Sequence, residues 1–207
     1  MKLLIGIPTI GNIPVKIMQA GILSILRLVK QYRDIEINFD IVEREIIHNA
    51  RQQILINAYR SKQTYLLFVD DDMLLEPDTI VKLFEYEPGN VGALYCGRQK
   101  PYSPILYNYH NKEKYIMVKP DFSQRYQVVD GTGLACNLIN QKGIHATAYK
   151  SLWDGQHSVG EDVRFWELMK DAGIPCVIDT KTRIGHCTTE MKVINYESYQ
   201  SFTQGKL

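Results

Sequence analysis

No run of apolar residues in this chain approaches the roughly 18 needed to cross a bilayer as a helix, so no transmembrane segment is expected. The opening stretch from Met1 to Pro8 is too short, and too soon broken by Gly and Pro, to read as a signal peptide. An excess of either charge is missing too: 24 Lys and Arg face 23 Asp and Glu, a formal net charge of +1. That balance argues against a protein that binds nucleic acid by neutralising many phosphates. The four cysteines, Cys96, Cys136, Cys176 and Cys187, show no CxxC spacing. Such scattered thiols leave disulfide pairing open but fit an intracellular, cytoplasmic protein. There is neither an internal repeat nor a low-complexity linker. Residues 1–207 therefore read as one domain, long enough to bury roughly 70% of the unfolded surface.

What the chain does have is an apolar run ending in acid: Tyr65-Leu66-Leu67-Phe68-Val69, then Asp70-Asp71-Asp72. Five largely apolar residues read as a strand buried on both faces. If the strand continues, Asp70 and Asp72 share one face and Asp71 takes the other. Three adjacent anions repel unless a cation sits among them, and hard oxygen ligands suit Mg²⁺ or Mn²⁺. The plainer alternative is an acidic turn capping the next helix, although a cap needs only one carboxylate.

The first hundred residues alternate strand and helix: a strand over 2–8, a helix over 14–32, a strand over 35–42 and a helix over 46–61. The acidic strand, a short helix over 77–87 and a strand over 91–96 follow. This order predicts an α/β fold with a mostly parallel sheet flanked by helices. Met18, Ile22, Ile25 and Val29 form an apolar stripe on the first helix, and Met191, Ile194 and Tyr199 one on a tail helix over 190–202. Arg51 falls on the inward stripe of the second helix and needs an anion there, unless it snorkels past the core edge to water. After residue 100, short Tyr-rich segments (105–109, 115–118, 126–130) predict a small antiparallel addition. Gly155 to Gly160 reads as a mobile loop, and Glu161-Asp162 open a further helix.

Taken together, Pro8 after the first strand, Asn49-Ala50-Arg51, Val69-Asp70-Asp71-Asp72-Met73, Gly160-Glu161-Asp162 and Gly185-His186 resemble the nucleotide-sugar-dependent glycosyltransferases of the GT-A fold. The likeness is to the compact family-2-like enzymes of prokaryotes and their viruses, and it runs from about Leu3 to Thr188. It implies a GT-A-like (Rossmann-like) sheet, with residues 1–100 as the nucleotide-sugar half and 101–207 as the acceptor half. By this resemblance Asp70 and Asp72 bind a Mn²⁺ or Mg²⁺ ion and the donor ribose, with Asp71 able to take either task and His186 as third metal ligand. Pro8 and Thr9 touch the nucleoside, and Arg51 lies near the base or diphosphate. Asp162, or failing it Glu161, is the general base of an inverting transfer. The donor would be a UDP- or GDP-sugar, the transferred group a hexose, and the acceptor a glycan, a protein or a small molecule. The second strand lacks the family's acidic-serine turn, and no Gln-x-x-Arg-Trp segment of processive synthases is present.

Each residue also has a structural reading. Glu161 and Asp162 suit the positive end of the helix they open, His186 can be a satisfied structural histidine, and of Trp153 and Trp166, either of which can stack on the acceptor, Trp166 is more often simply core. Two other functions remain open: a nucleotidyltransferase acting on sugar phosphates, and a non-catalytic carbohydrate-binding or structural protein with the same fold. The first normally carries a basic Gly-rich loop after its first strand, and Ile10-Gly11-Asn12 has no Lys or Arg.

Overall fold

The apolar run ahead of the acids is a strand deep inside a seven-stranded sheet. The computed structural model describes residues 1–111, 114–153 and 160–206. In chain order its elements are β1 (Lys2–Thr9), α1 (Val15–Gln31), β2 (Glu36–Glu43), α2 (Ile47–Arg60), β3 (Tyr65–Val69), β4 (Met73–Leu74) and α3 (Thr79–Phe84). There follow β5 (Val91–Leu94), β6 (Leu106–Asn111), β7 (Lys114–Met117), β8 (Tyr126–Val129), β9 (Gly131–Thr132), β10 (Cys136–Asn140) and α4 (Gln141–Thr147). The chain closes with α5 (Glu161–Asp171), β11 (Cys176–Arg183), β12 (Gly185–Cys187), β13 (Val193–Ile194) and α6 (Tyr196–Thr203).

The central sheet has the order β2-β1-β3-β10-β5-β11-β8. β1, β2, β3, β5 and β11 run one way, while β10 and β8 oppose them. Leu66, Leu67 and Phe68 of β3 are wholly buried because helices cover both faces. Leu66 and Phe68 pack with Ile54, Leu55, Ile144 and Phe165 from α2, α4 and α5. Leu67 points the other way, toward Leu28 of α1 and Ile80 and Leu83 of α3. This is the mixed, mostly parallel α/β sheet expected. The Tyr-rich region supplies both the antiparallel edge strand β8 and a separate sheet, β7-β6-β9. A third small sheet, β13-β12-β4, sits directly after the acids.

Several local expectations are corrected. The inward face of α1 is Ile17, Ser24 and Leu28, whereas Met18, Ile22 and Val29 are 50, 49 and 41% exposed. Apolar residues form a broad arc of this helix, opposite Lys16, Gln19, Arg27 and Lys30, and only part of that arc is buried. Phe39 and Ile41 of the edge strand are exposed too, so periodicity alone could not choose the face. The tail helix begins only at Tyr196, capped by the Asn195 side chain. Ile194 is buried in a strand before it, while Tyr199 and Phe202 pack on Cys96 and Tyr102. The four cysteines are free and buried, and burial pushes the thiols of Cys96 and Cys136 up to about 12, which leaves them poor nucleophiles. The loop expected over 155–160 lies, but for Gly160, outside the described residues.

Candidate active site

β3 stops at Val69, and the acids form a turn instead of a continuing strand: the Met73 amide donates to the Asp70 carbonyl at 3.2 Å. Strand alternation therefore does not govern the triplet. Its three carboxylates fan out to three different sets of partners beyond the carboxyl end of a sheet strand, where open α/β sheets bind ligands.

Asp70 turns to α2. Nη2 of Arg51 donates to both of its oxygens, at 2.8 and 2.9 Å, and Nη1 of the same guanidinium donates to Glu161 at the start of α5. Arg51 is 4% exposed. Burial alone would lower its basicity, but Asp70 and Glu161 overcome that and hold it charged. One buried cation thus ties the acid turn to the acidic pair 91 positions later (161 − 70). This answers the need for an anion beside an inward Arg. It also means that Arg51 meets carboxylates here, and that Asp70 and Asp72 do not share a partner.

Asp71 turns to the end of β1, where the Thr9 hydroxyl donates to its Oδ2 at 2.7 Å and the Ile10 amide lies 3.4 Å away. Pro8 is buried in β1 beside Val42 of β2. Gly11, at φ +106°, lets the turn close against Glu43, whose carboxylate occupies the place of any Cβ. A cleft of about 500 Å³ opens there, lined by Thr9, Gly11, Asn12, Ile41 and Glu43 among others. A larger hollow of about 620 Å³ lies at the opposite ends of β1 and β2, near Lys2 and Glu36, and contains none of these groups.

Asp72 turns to the third small sheet. His186, opposite Met73 in that sheet, places Nε2 at 3.3 Å from Asp72 Oδ2, and the Arg98 guanidinium lies 2.9 Å from the same oxygen. Nδ1 of His186 is 2.8 Å from the Cys96 carbonyl oxygen, which can only accept, so Nδ1 bears the proton. Nε2 of the same ring therefore faces a carboxylate oxygen. Such a contact is favourable only with a proton or a cation between the two. Asp72 Oδ1 is buried without a hydrogen-bond partner. Among the described residues no cluster of three or more His, Cys, Asp and Glu side chains is arranged to hold a metal ion. The pair nevertheless fits a cation of the Mn²⁺ or Mg²⁺ kind, which is held by few protein groups and completed by substrate phosphates and water.

Asp162 stands next to Glu161 at the head of α5. Its Oδ1 accepts from the Val163 amide at 2.7 Å. Burial first, then the Glu161 charge, raises its pKa above the usual aspartate value despite the opposing pull of Arg51. Two tyrosines feel it in turn. Tyr107 is pushed up to about 12, chiefly by burial and then by Asp162. Tyr95, wholly buried, is driven higher by burial, Asp70 and Asp162. The Tyr95 hydroxyl fills the space where a Cβ of residue 133 would project, which is why a glycine stands there. Trp166 is core: it is 1% exposed and donates to the Thr132 carbonyl at 2.8 Å. Trp153 is 36% exposed and stacks on His48, with ring centroids 4.9 Å apart.

Three of these groups carry no periodic signal in the sequence. Arg98 sits in Gly97-Arg98-Gln99-Lys100, a basic run just past a strand end; Tyr95 is hidden in the apolar run that ends β5; Glu43 is one of many surface acids. The place of Arg98, after a strand and before a turn, was the signal that could have found it.

No protein-family model matches the chain, and no curated protein matches it in sequence. Solved structures do. A197 from STIV is 20% identical over 94% of this chain and 94% of its own, with a TM-score of 0.63. Apo UDP-glucose pyrophosphorylase is 8% identical over 100% of this chain and 99% of its own, with a TM-score of 0.55. The catalytic domain of Drosophila beta1,4galactosyltransferase 7 aligns more loosely: 14% identity, 86% of this chain, 64% of that one, TM-score 0.48. At these identities what is shared is the fold, and the fold of this chain is GT-A-like.

Proposed function

We propose that this protein is a metal-dependent glycosyltransferase that moves a sugar, a hexose by the resemblance of its sequence, from a UDP- or GDP-sugar to an acceptor hydroxyl. The observation that carries this reading is the way one acidic turn faces three kinds of surface. Asp71 meets the Thr9 turn beside a cleft, Asp72 meets His186 and Arg98, and Asp70 is tied through Arg51 to the Glu161–Asp162 pair. Those are the three parts a sugar transfer needs: a place for the nucleoside, charge for the diphosphate and a base for the acceptor. The fold shared with a protein named for UDP-glucose is consistent with such a donor.

In this reading the nucleoside enters the cleft at Thr9 and Gly11, with Glu43 in reach of its polar groups. Asp72 and His186 would hold the Mn²⁺ or Mg²⁺ ion. Bound there, it supplies positive charge against the negative charge that grows on the departing diphosphate. Arg51 does not reach the donor in this scheme. It holds Asp70 and Glu161 at fixed separation, so that the acceptor side keeps its register with the donor side. Asp162, raised in basicity by its burial, takes the proton of the acceptor hydroxyl as that oxygen attacks the anomeric carbon. Trp153, exposed and stacked on His48, offers the acceptor an aromatic face.

The test is a set of calorimetric titrations of nucleoside diphosphates in the presence of Mn²⁺. One should bind, and Asp72→Ala should abolish that binding; undiminished binding in the variant removes the cation site from the scheme. The shared fold also favours a second reading, a nucleotidyltransferase acting on sugar phosphates. The two separate by product, since a glycosyltransferase releases a nucleoside diphosphate from a nucleotide sugar. A nucleotidyltransferase instead releases pyrophosphate from a nucleoside triphosphate and a sugar phosphate. The absence of any basic side chain from Ile10 to Asn12 weighs against the second.

A further inference from the structure

Arg98 is the one cationic side chain among the ion pairs of Asp72 that is both permanently charged and half exposed, at 49%. It projects from a loop that is itself fastened. The Gly97 amide donates to the Ser103 carbonyl at 2.9 Å and the Tyr102 amide to the Gln99 carbonyl at 2.7 Å. Tyr102 is buried against Phe202 of α6, ring centroids 6.0 Å apart. The backbone is held while the side chain can rotate. Its guanidinium lies 2.9 Å from the Asp72 oxygen that also faces His186 Nε2, so it stands on the side of Asp72 where a cation would be.

We propose that Arg98 and a divalent cation are alternative counter-ions for Asp72, and that the arginine, displaced from Asp72 when the cation binds, turns to the donor's diphosphate. This rests on the glycosyltransferase reading and adds a diphosphate-binding residue to it. The exchange is cheap because an ion pair at this exposure contributes little and is screened by solvent. The released guanidinium has the planar fork that matches two phosphate oxygens, which a lysine lacks. No bond is made or broken in the exchange. One contact to a carboxylate is traded for another to a phosphate, and the anion left behind keeps a cation beside it.

The experiment measures two affinities in the wild type, Arg98→Ala and Arg98→Lys: Mn²⁺ alone, by electron paramagnetic resonance without nucleotide, and the nucleoside diphosphate at saturating Mn²⁺, by calorimetry. Removing the competing arginine should tighten Mn²⁺ by about 1.5- to 5-fold in Arg98→Ala, the range expected for loss of a half-exposed ion pair. The same variant should lose roughly 10-fold or more in diphosphate affinity, with Arg98→Lys between it and the wild type. A wild type that binds both ligands, with both affinities unchanged or only one of them moved in Arg98→Ala, overturns this proposal alone. A wild type that binds no Mn²⁺ overturns the reading beneath it, and this proposal with it.

Discussion

Arg51 gives both oxygens of Asp70 a hydrogen bond from a single nitrogen, Nη2, and keeps Nη1 for Glu161. The guanidinium is almost wholly buried while its two carboxylates keep some contact with solvent, at 23 and 18% side-chain exposure. Such a triad is balanced only while all three charges are present. It ties the acid turn to the start of α5.

Arg51→Ala should therefore do more harm than the loss of an ordinary surface pair. It leaves two facing, part-buried carboxylates without their cation, a change that typically costs about 3–5 kcal/mol. Urea unfolding should show it as a lower midpoint at unchanged slope. Arg51→Lys restores the charge without the fork and should recover only part of the loss. A variant as stable as the wild type would mean that the triad contributes nothing to the fold.

Asp162 predicts a pH dependence of known sign. Its pKa in the folded protein lies above the ordinary aspartate value, through burial first and the Glu161 charge second. As pH falls through that raised value the base is protonated and transfer is lost. The acidic limb of the pH–rate profile should thus sit higher than that of a solvated aspartate. The stability term has the matching sign: the ionised form is the disfavoured one, so its cost to folding is present above the raised pKa and disappears in acid. Asp162→Asn should remove the limb and cut turnover by about 10²–10⁴-fold, the usual contribution of a positioned base. Donor affinity should stay near normal, and an unchanged rate in this variant would require another base.

Gly133 and Tyr95 should behave as a coupled pair. A methyl at residue 133 would overlap the Tyr95 hydroxyl, so Gly133→Ala must displace that ring. Overpacking of this kind costs about 1–3 kcal/mol. Tyr95→Phe withdraws the clashing atom, and the double variant should be more stable than the sum of the two single changes implies. Strictly additive thermal shifts would show that the ring accommodates the methyl elsewhere.

How much of this was legible beforehand differs by element. The five apolar residues of β3 announce a strand covered on both sides, and Leu66, Leu67 and Phe68 are so covered. The inward place of Arg51 follows from its spacing to Ile54, which is buried, although Ile47 four positions before it, expected inward as well, is 39% exposed. One of the arginine's partners proved to be an acid after β3. The fan of the triplet was not legible, because whether a strand continues or turns after its last apolar residue depends on what pairs with it. At Asp70 that is the Ala135 carbonyl, 65 positions on (135 − 70). The face of α1 failed for a different reason. A helix apolar over a broad arc does not show which part of that arc meets the sheet. Arg98 belongs to neither periodicity; its place just past a strand end is the only hint in the sequence, and its ion pair with Asp72 supplies the rest.

The reversed strand β10 separates β3 from β5, so the hydrogen-bonded ladder of the central sheet passes from one to the other only through Cys136–Asn140. Synthesis from the ribosome delivers β3 and β5 before β10, and β11 only after it, so until β10 arrives β3 and β5 each show a naked row of amides and carbonyls. Cutting the polypeptide near residue 100 would strand it in that sticky half-built form.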